Sequence, residues 1–263
     1  DIANVCNEAA LIAARNSHEA VTKQDFLDAV DRIIGGLEKK NKAIKPSEKR
    51  RVAYHEAGHA TISWLVEHAS PLLKVTIVPR GRSLGAAWYL PEERQLTTTE
   101  QMLDELCATL GGRAAEQTIF GNISTGALSD LERVTKQAQA MVTIYGLNDK
   151  IGNISYYDSS GQSEYNFGKP YSEQTAKMID EEISKIIETQ YQRALHILET
   201  NKDKLDALAA KLLDKEVIFR EDLEEVFGER QWDPELTEHP VSNTHKEEVA
   251  PETVLGPESN TQL

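Results

Sequence analysis

One stretch restricts the possible architectures more than any other. His55-Glu56-Ala57-Gly58-His59 lies within residues 47–68, a run without proline that is predicted to be one helix. Helical residues four apart are turned by about 400° and stand on one face, about 6 Å from each other. The neighbours Val52, Ala53, Ala60, Ile62 and Trp64 are apolar, so this helix is expected to be buried together with its histidines. Buried imidazoles and a buried carboxylate need partners. Two histidines at this spacing can converge on one zinc ion, each at about 2.0–2.1 Å. Glu56, turned about 100° from His55, then falls beside the metal and is suited to act as general base toward water.

A catalytic zinc takes a third protein ligand. The extended H-E-x-x-H-x-x-G-x-x-H pattern fails here, because Ile62 and Leu65 stand where its glycine and third histidine belong. Among the carboxylates on later helices, Glu116, Asp130 and Glu132 remain candidates, and spacing does not choose between them.

The rest of the chain reads as mainly α with a small β element. Helices are expected over residues 1–16 and 22–34, the second capped by Thr22 with Asp25 and bearing an apolar stripe of Phe26, Val30, Ile33 and Ile34. Residues 38–46 are charged, contain Pro46, and read as a linker. Two short strands are expected at 72–78 and 86–90, separated by the turn at Pro79-Arg80-Gly81-Arg82. A helix then starts at Thr97, Thr98 or Thr99 and stops at Gly111-Gly112, with a further turn through Glu116. More helices are expected over 128–145, 172–200, 204–213 and 220–227, Ser172 capping the longest. The final stretch, 229–263, is rich in Pro, Glu, Ser and Thr, poor in apolar residues, and expected to be disordered.

The formal charge of −14 leaves no basic face for phosphate backbones, so a nucleic-acid partner is not expected. No apolar run approaches the roughly 20 residues that a membrane helix requires. Cys6 and Cys107 are far apart and fall on apolar helical positions, so both are expected to be buried free thiols. The chain opens on Asp1 directly into helix-forming sequence and reads as a piece of a longer polypeptide.

Several segments in order carry a resemblance to one family. They are Asn7-Glu8-Ala9-Ala10-Leu11, Tyr54-His55-Glu56-Ala57-Gly58-His59-Ala60, Val78-Pro79-Arg80-Gly81, Gly111-Gly112-Arg113-Ala114-Ala115-Glu116, and Ser124-Thr125-Gly126-Ala127-Leu128-Ser129-Asp130-Leu131. Over residues 1–228 the chain resembles the C-terminal part of the FtsH family of ATP-dependent, membrane-anchored zinc proteases, which includes the mitochondrial AAA proteases. The resemblance implies that Asp130 is the third zinc ligand and that Glu116 orients a histidine. It implies that residues 1–37 end the helical lid of an AAA+ module, that 47–228 form the zinc peptidase domain, and that residues 84–90 pair with unfolded substrate. It also implies a homo-hexamer at an inner membrane, with the protease facing the bacterial cytoplasm or the mitochondrial matrix. No G-x-x-x-x-G-K-[ST] occurs, so ATP and Mg2+ are expected only with the full-length protein.

Overall fold

The computed structural model describes residues 2–36, 44–79, 84–89, 95–157 and 170–232. Helices α1 (Ile2–Arg15) and α2 (Lys23–Gly35) pair around Ala9, Ile12 and Ala29. Thr22 and Asp25 form the expected capping box, and His18 Nδ1 bonds the Asp25 carboxylate, which is buried. The predicted stripe is not the buried face: Phe26, Ile33 and Ile34 are exposed, and Ala29 and Asp25 turn inward instead. Cys6 is likewise exposed on α1, against the expectation, whereas Cys107 is buried. Lys74 of the sheet pairs with Asp31 of α2 and lies over the Trp88 ring, which ties the helical pair to the sheet.

The centre is built from α3 (Pro46–Leu65) and α4 (Thr99–Phe120). Pro46 opens α3 at a position where a missing N–H costs nothing, and the helix ends at Leu65 because Val66 is extended. Ten consecutive residues after Ala53-Tyr54 include only one, His55, that is more than marginally accessible, so α3 is a core helix rather than an amphipathic one. The expected break at Gly111-Gly112 does not occur, and α4 runs through both glycines. An interior glycine costs a helix about 1 kcal/mol, but here the tertiary contact requires it. A Cβ on Gly58 would lie 2.4 Å from the Gly111 carbonyl oxygen, and one on Gly111 would lie 2.7 Å from that of Gly58. The two helices therefore cross backbone to backbone. Gly58→Ala is expected to destabilise the fold by about 1–3 kcal/mol, since neither backbone can yield cheaply. Denaturant unfolding checks this, and a variant as stable as the parent would contradict the close crossing.

Strands β1 (Leu72–Thr76), β2 (Ala86–Tyr89) and β3 (Val217–Phe219) form an antiparallel sheet in the order β2-β1-β3, with Val75 opposite both Ala87 and Ile218. The third strand is absent from the sequence reading because three residues are too short to show alternation. Helices α5 (Leu128–Thr143) and α6 (Glu173–Thr200) pack on α4 around Met102, Leu106, Leu110, Val134 and Met141. Helix α7 (Lys202–Lys215), longer at both ends than predicted, covers α3 with Leu205, Leu208 and Leu212 and leads through β3 into α8 (Arg220–Phe227). Arg230, at the start of the stretch read as tail, is buried and donates to the carbonyls of Val66 and Ala69 just beyond α3.

Candidate metal centre

Because α3 and α4 touch at Gly58 and Gly111, the next inward-facing positions meet as well. His55 and His59 lie one turn apart on α3, their rings 4.8 Å apart and nearly perpendicular. The Nδ1 of His59 is 2.9 Å from the Ala108 carbonyl oxygen, which can only accept, so Nδ1 carries the proton. The Nδ1 of His55 is 3.0 Å from Glu116 Oε1 and donates to it in the same way. With Nδ1 so engaged, each ring turns its Nε2 toward one carboxylate oxygen, where it donates when protonated and presents a lone pair when neutral. Asp130 Oδ2 stands 3.2 Å from His55 Nε2 and 3.6 Å from His59 Nε2.

Asp130 reaches this point from the first turn of α5. The short 3-10 turn Thr125–Ala127, capped by Ser124, redirects the chain after α4 so that α5 begins over the histidines. Of the other two carboxylates considered from sequence, Glu116 is 2 % exposed and lies behind His55 rather than at the Nε2 side. Glu132 points to solvent and pairs with Lys136.

His55, His59 and Asp130 offer ligand atoms that all lie within 4.8 Å of one another. Ligand atoms at about 2.0–2.2 Å from a common tetrahedral centre are about 3.3–3.6 Å apart, so the nitrogen–oxygen separations fit a zinc-sized ion. Gly112 supports the same reading: a Cβ there would lie 2.5 Å from both Nε2 atoms, so the space in front of the ligand nitrogens is kept clear. Glu56 is buried beside the set, against Gly85, where an added Cβ would come within 2.7 Å of its Oε1. Burial raises the Glu56 carboxyl pKa while the two imidazoles pull it back, a balance that favours a base able to accept and return a proton.

Burial opposes charge on His55, yet hydrogen bonds to Asp130 and Glu116 raise its pKa from 6.5 to about 10 in the metal-free protein. Glu116 is held down, from 4.5 to about 2, by His55, Ser124 and Arg51 in spite of its own burial. A raised base stabilises the fold below its unfolded pKa and loses that contribution as pH rises through the folded value; a depressed acid does the converse. Metal-free protein is therefore expected to be most stable between about pH 4.5 and 6.5, and to weaken toward pH 10 and toward pH 2. Zinc-loaded protein, with His55 neutral, should lack the alkaline decline. Thermal melts across pH, with and without chelator, check this, and identical profiles would contradict it.

Two clefts meet at this centre. One, of about 600 Å3, is bounded by Arg51, Val52, Leu84 and Thr125. The other, of about 240 Å3, is bounded by Ala87, Tyr89, Thr109 and Arg133. They share His55, Glu56, Gly85, Gly126 and Ser129, so Glu56 lies where they join. Strand β2 runs along this join and is an edge strand, pairing only with β1 among the described residues.

A helical H-E-x-x-H pair with a remote carboxylate and an open groove defines the class of metal-dependent peptidases. The chain matches the model of peptidase family M41 over residues 42–226, and it belongs to that family. It is 65 % identical over 232 residues to the ATP-dependent zinc metalloprotease FtsH of Parabacteroides distasonis, covering 88 % of this chain and 34 % of that one. It is 54 % identical over 231 residues to the mitochondrial ATP-dependent zinc metalloprotease FTSH 10 of Arabidopsis thaliana, covering 88 % and 28 %. To the mitochondrial inner membrane m-AAA protease component AFG3L2 of Mus musculus it is 49 % identical over 237 residues, covering 90 % and 29 %. The chain thus spans about a third of the length of these relatives.

Sequence reasoning missed Arg51, Ser124 and the Ala108 carbonyl, all of which bear on the histidines or on Glu116. Arg51 stands one turn before His55, but spacing along α3 does not reveal its partner on α4, and nothing local points to Ser124 or Ala108.

Proposed function

We propose that this chain is the proteolytic part of an ATP-dependent, membrane-anchored zinc endopeptidase that degrades unfolded or membrane polypeptides. The observation that carries the reading is the convergence of His55, His59 and Asp130 on one point with Glu56 alongside. In this assignment His55 and His59 bind zinc through Nε2 and Asp130 through a carboxylate oxygen. Zinc, when bound, supplies Lewis acidity that activates water and polarises the peptide carbonyl. Glu56 takes a proton from the attacking water and later delivers it to the leaving amine. Glu116 fixes the His55 ring through Nδ1. The edge of β2 that is unpaired among the described residues aligns an extended substrate across Glu56 by main-chain hydrogen bonds, a mode tolerant of side-chain sequence.

Residues 1–37 are assigned to the end of an AAA+ helical lid, 38–46 to a linker and 47–228 to the peptidase domain; of the stretch expected to be a disordered tail, 229–232 pack against the domain through Arg230 and 233–263 lie outside the described residues. ATP with Mg2+, a homo-hexameric ring and membrane segments are assigned to the longer protein, at a bacterial inner membrane with the protease in the cytoplasm, or facing the mitochondrial matrix. No helix among the described residues is long and apolar enough to cross a membrane.

Purified protein is expected to carry one zinc and to cleave casein, to lose both metal and activity to a chelator, and to regain both with zinc. Protein that holds no zinc, or that cleaves small esters while sparing casein, would overturn the assignment.

A further inference from the structure

We infer that Arg51 is a positioning residue for the metal centre, acting through Glu116 on His55; this rests on the zinc assignment above. Arg51 precedes His55 by one helical turn, so the two side chains leave the same face of α3. Its Nη1 donates to Glu116 Oε2 at 2.9 Å and to the Asn122 carbonyl at 3.2 Å, and its Nη2 donates to Asn122 Oδ1 at 2.8 Å. The guanidinium plane also lies over the Phe120 ring, 4.5 Å from its centroid. Four contacts to α4 and the residues just after it fix the fork.

Glu116 has its two oxygens divided between tasks. Oε1 accepts from His55 Nδ1 and from Ser124, each at 3.0 Å, and Oε2 accepts from Arg51. A carboxylate this deeply buried needs donors on both oxygens to hold its place. Among the described residues, Arg51 supplies the ion pair to Glu116 that does not depend on His55 being protonated. When His55 is neutral and its Nε2 is committed to a metal, Arg51 is the described cation that still faces the Glu116 charge. Without it, the Glu116 carboxylate loses its anchor on Oε2 and is expected to turn, and the Nδ1 bond that sets the His55 ring angle loosens. Asn122 and Ser124 tie the same cluster to the turn that launches α5, so the carboxylate behind His55 and the helix carrying Asp130 share one anchor.

The test uses zinc release to a chromogenic chelator alongside casein cleavage. Arg51→Met, which keeps a stem over Phe120, is expected to raise the zinc dissociation constant about tenfold or more, the range found when partners of metal-bound histidines are removed. Arg51→Lys keeps charge without the fork and is expected to fall between Met and the parent. Arg51→Met added to Glu116→Gln should change zinc affinity less than it does alone, because both act on one bond. An Arg51 that only lines the substrate cleft would raise KM and leave zinc release untouched. Zinc affinity within about twofold of the parent in both Arg51 variants, or full additivity with Glu116→Gln, overturns the inference. His55→Ala separates the levels: if it retains zinc, the zinc assignment itself fails, whereas loss of zinc there with none in the Arg51 variants refutes only Arg51.

Discussion

Glu56→Gln is expected to retain zinc at full occupancy and to lose casein hydrolysis by at least about 10²–10⁴-fold, the range attributed to a positioned general base. The substitution is nearly isosteric in a site where Glu56 is buried and Gly85 leaves no spare room, so the side chain should keep its place. What it loses is the ability to take a proton. The carboxylate also carries the cost of burial, which raises its pKa, so the neutral amide should not destabilise the protein and should stabilise it slightly. The pattern of intact zinc, intact melting and absent cleavage is specific to a base. Loss of zinc would make Glu56 a ligand, and undiminished cleavage would remove its role.

Gly112→Ala should produce the second large effect, by a different route. Alanine is the better helix former by about 1 kcal/mol, and α4 is continuous through this position, so propensity alone predicts a gain in stability. The added Cβ would lie 2.5 Å from both His55 and His59 Nε2, so the rings must swing away from the shared point. The variant is expected to fold and to bind zinc at least about a hundredfold more weakly, with cleavage lost in proportion. Gly58→Ala strikes backbone instead of imidazole and is expected to fail in stability rather than in metal binding. The two glycine variants thus separate the crossing of α3 and α4 from the clearance of the metal site. Zinc titration of Gly112→Ala with parental affinity would contradict this reading of Gly112.

The site was partly legible in the residues themselves. His55, Glu56 and His59 could be grouped because helical periodicity places them together before any tertiary structure is known. Asp130 could not be reached that way: it arrives from α5 after the Ser124 turn, 71 positions past His59, and only the family resemblance singled it out. Glu132, two residues away, had the same chemistry and the same apparent distance but faces solvent. The fold showed a similar division. The capping box at Thr22 and the Ser172 cap were local and readable, whereas the start of α4 stayed open among Thr97, Thr98 and Thr99 until the structure showed Thr98 boxed with Gln101. The continuity of α4 through Gly111-Gly112 was not, because its reason lies on α3. The stripe on α2 misled for a related cause: periodicity marks an apolar face without saying which element covers it. Strand β3 exists only because β1 offers Lys74, Val75 and Thr76 as partners.

Diffraction from crystals of the zinc-loaded protein, with an anomalous difference map at the zinc edge, tests the central claim most directly. One peak is expected at about 2.0–2.2 Å from His55 Nε2, His59 Nε2 and an Asp130 oxygen, with Glu56 beside it and unligated. A peak bound by Glu116 or Glu132 in place of Asp130, or no peak between the two histidines, would contradict it.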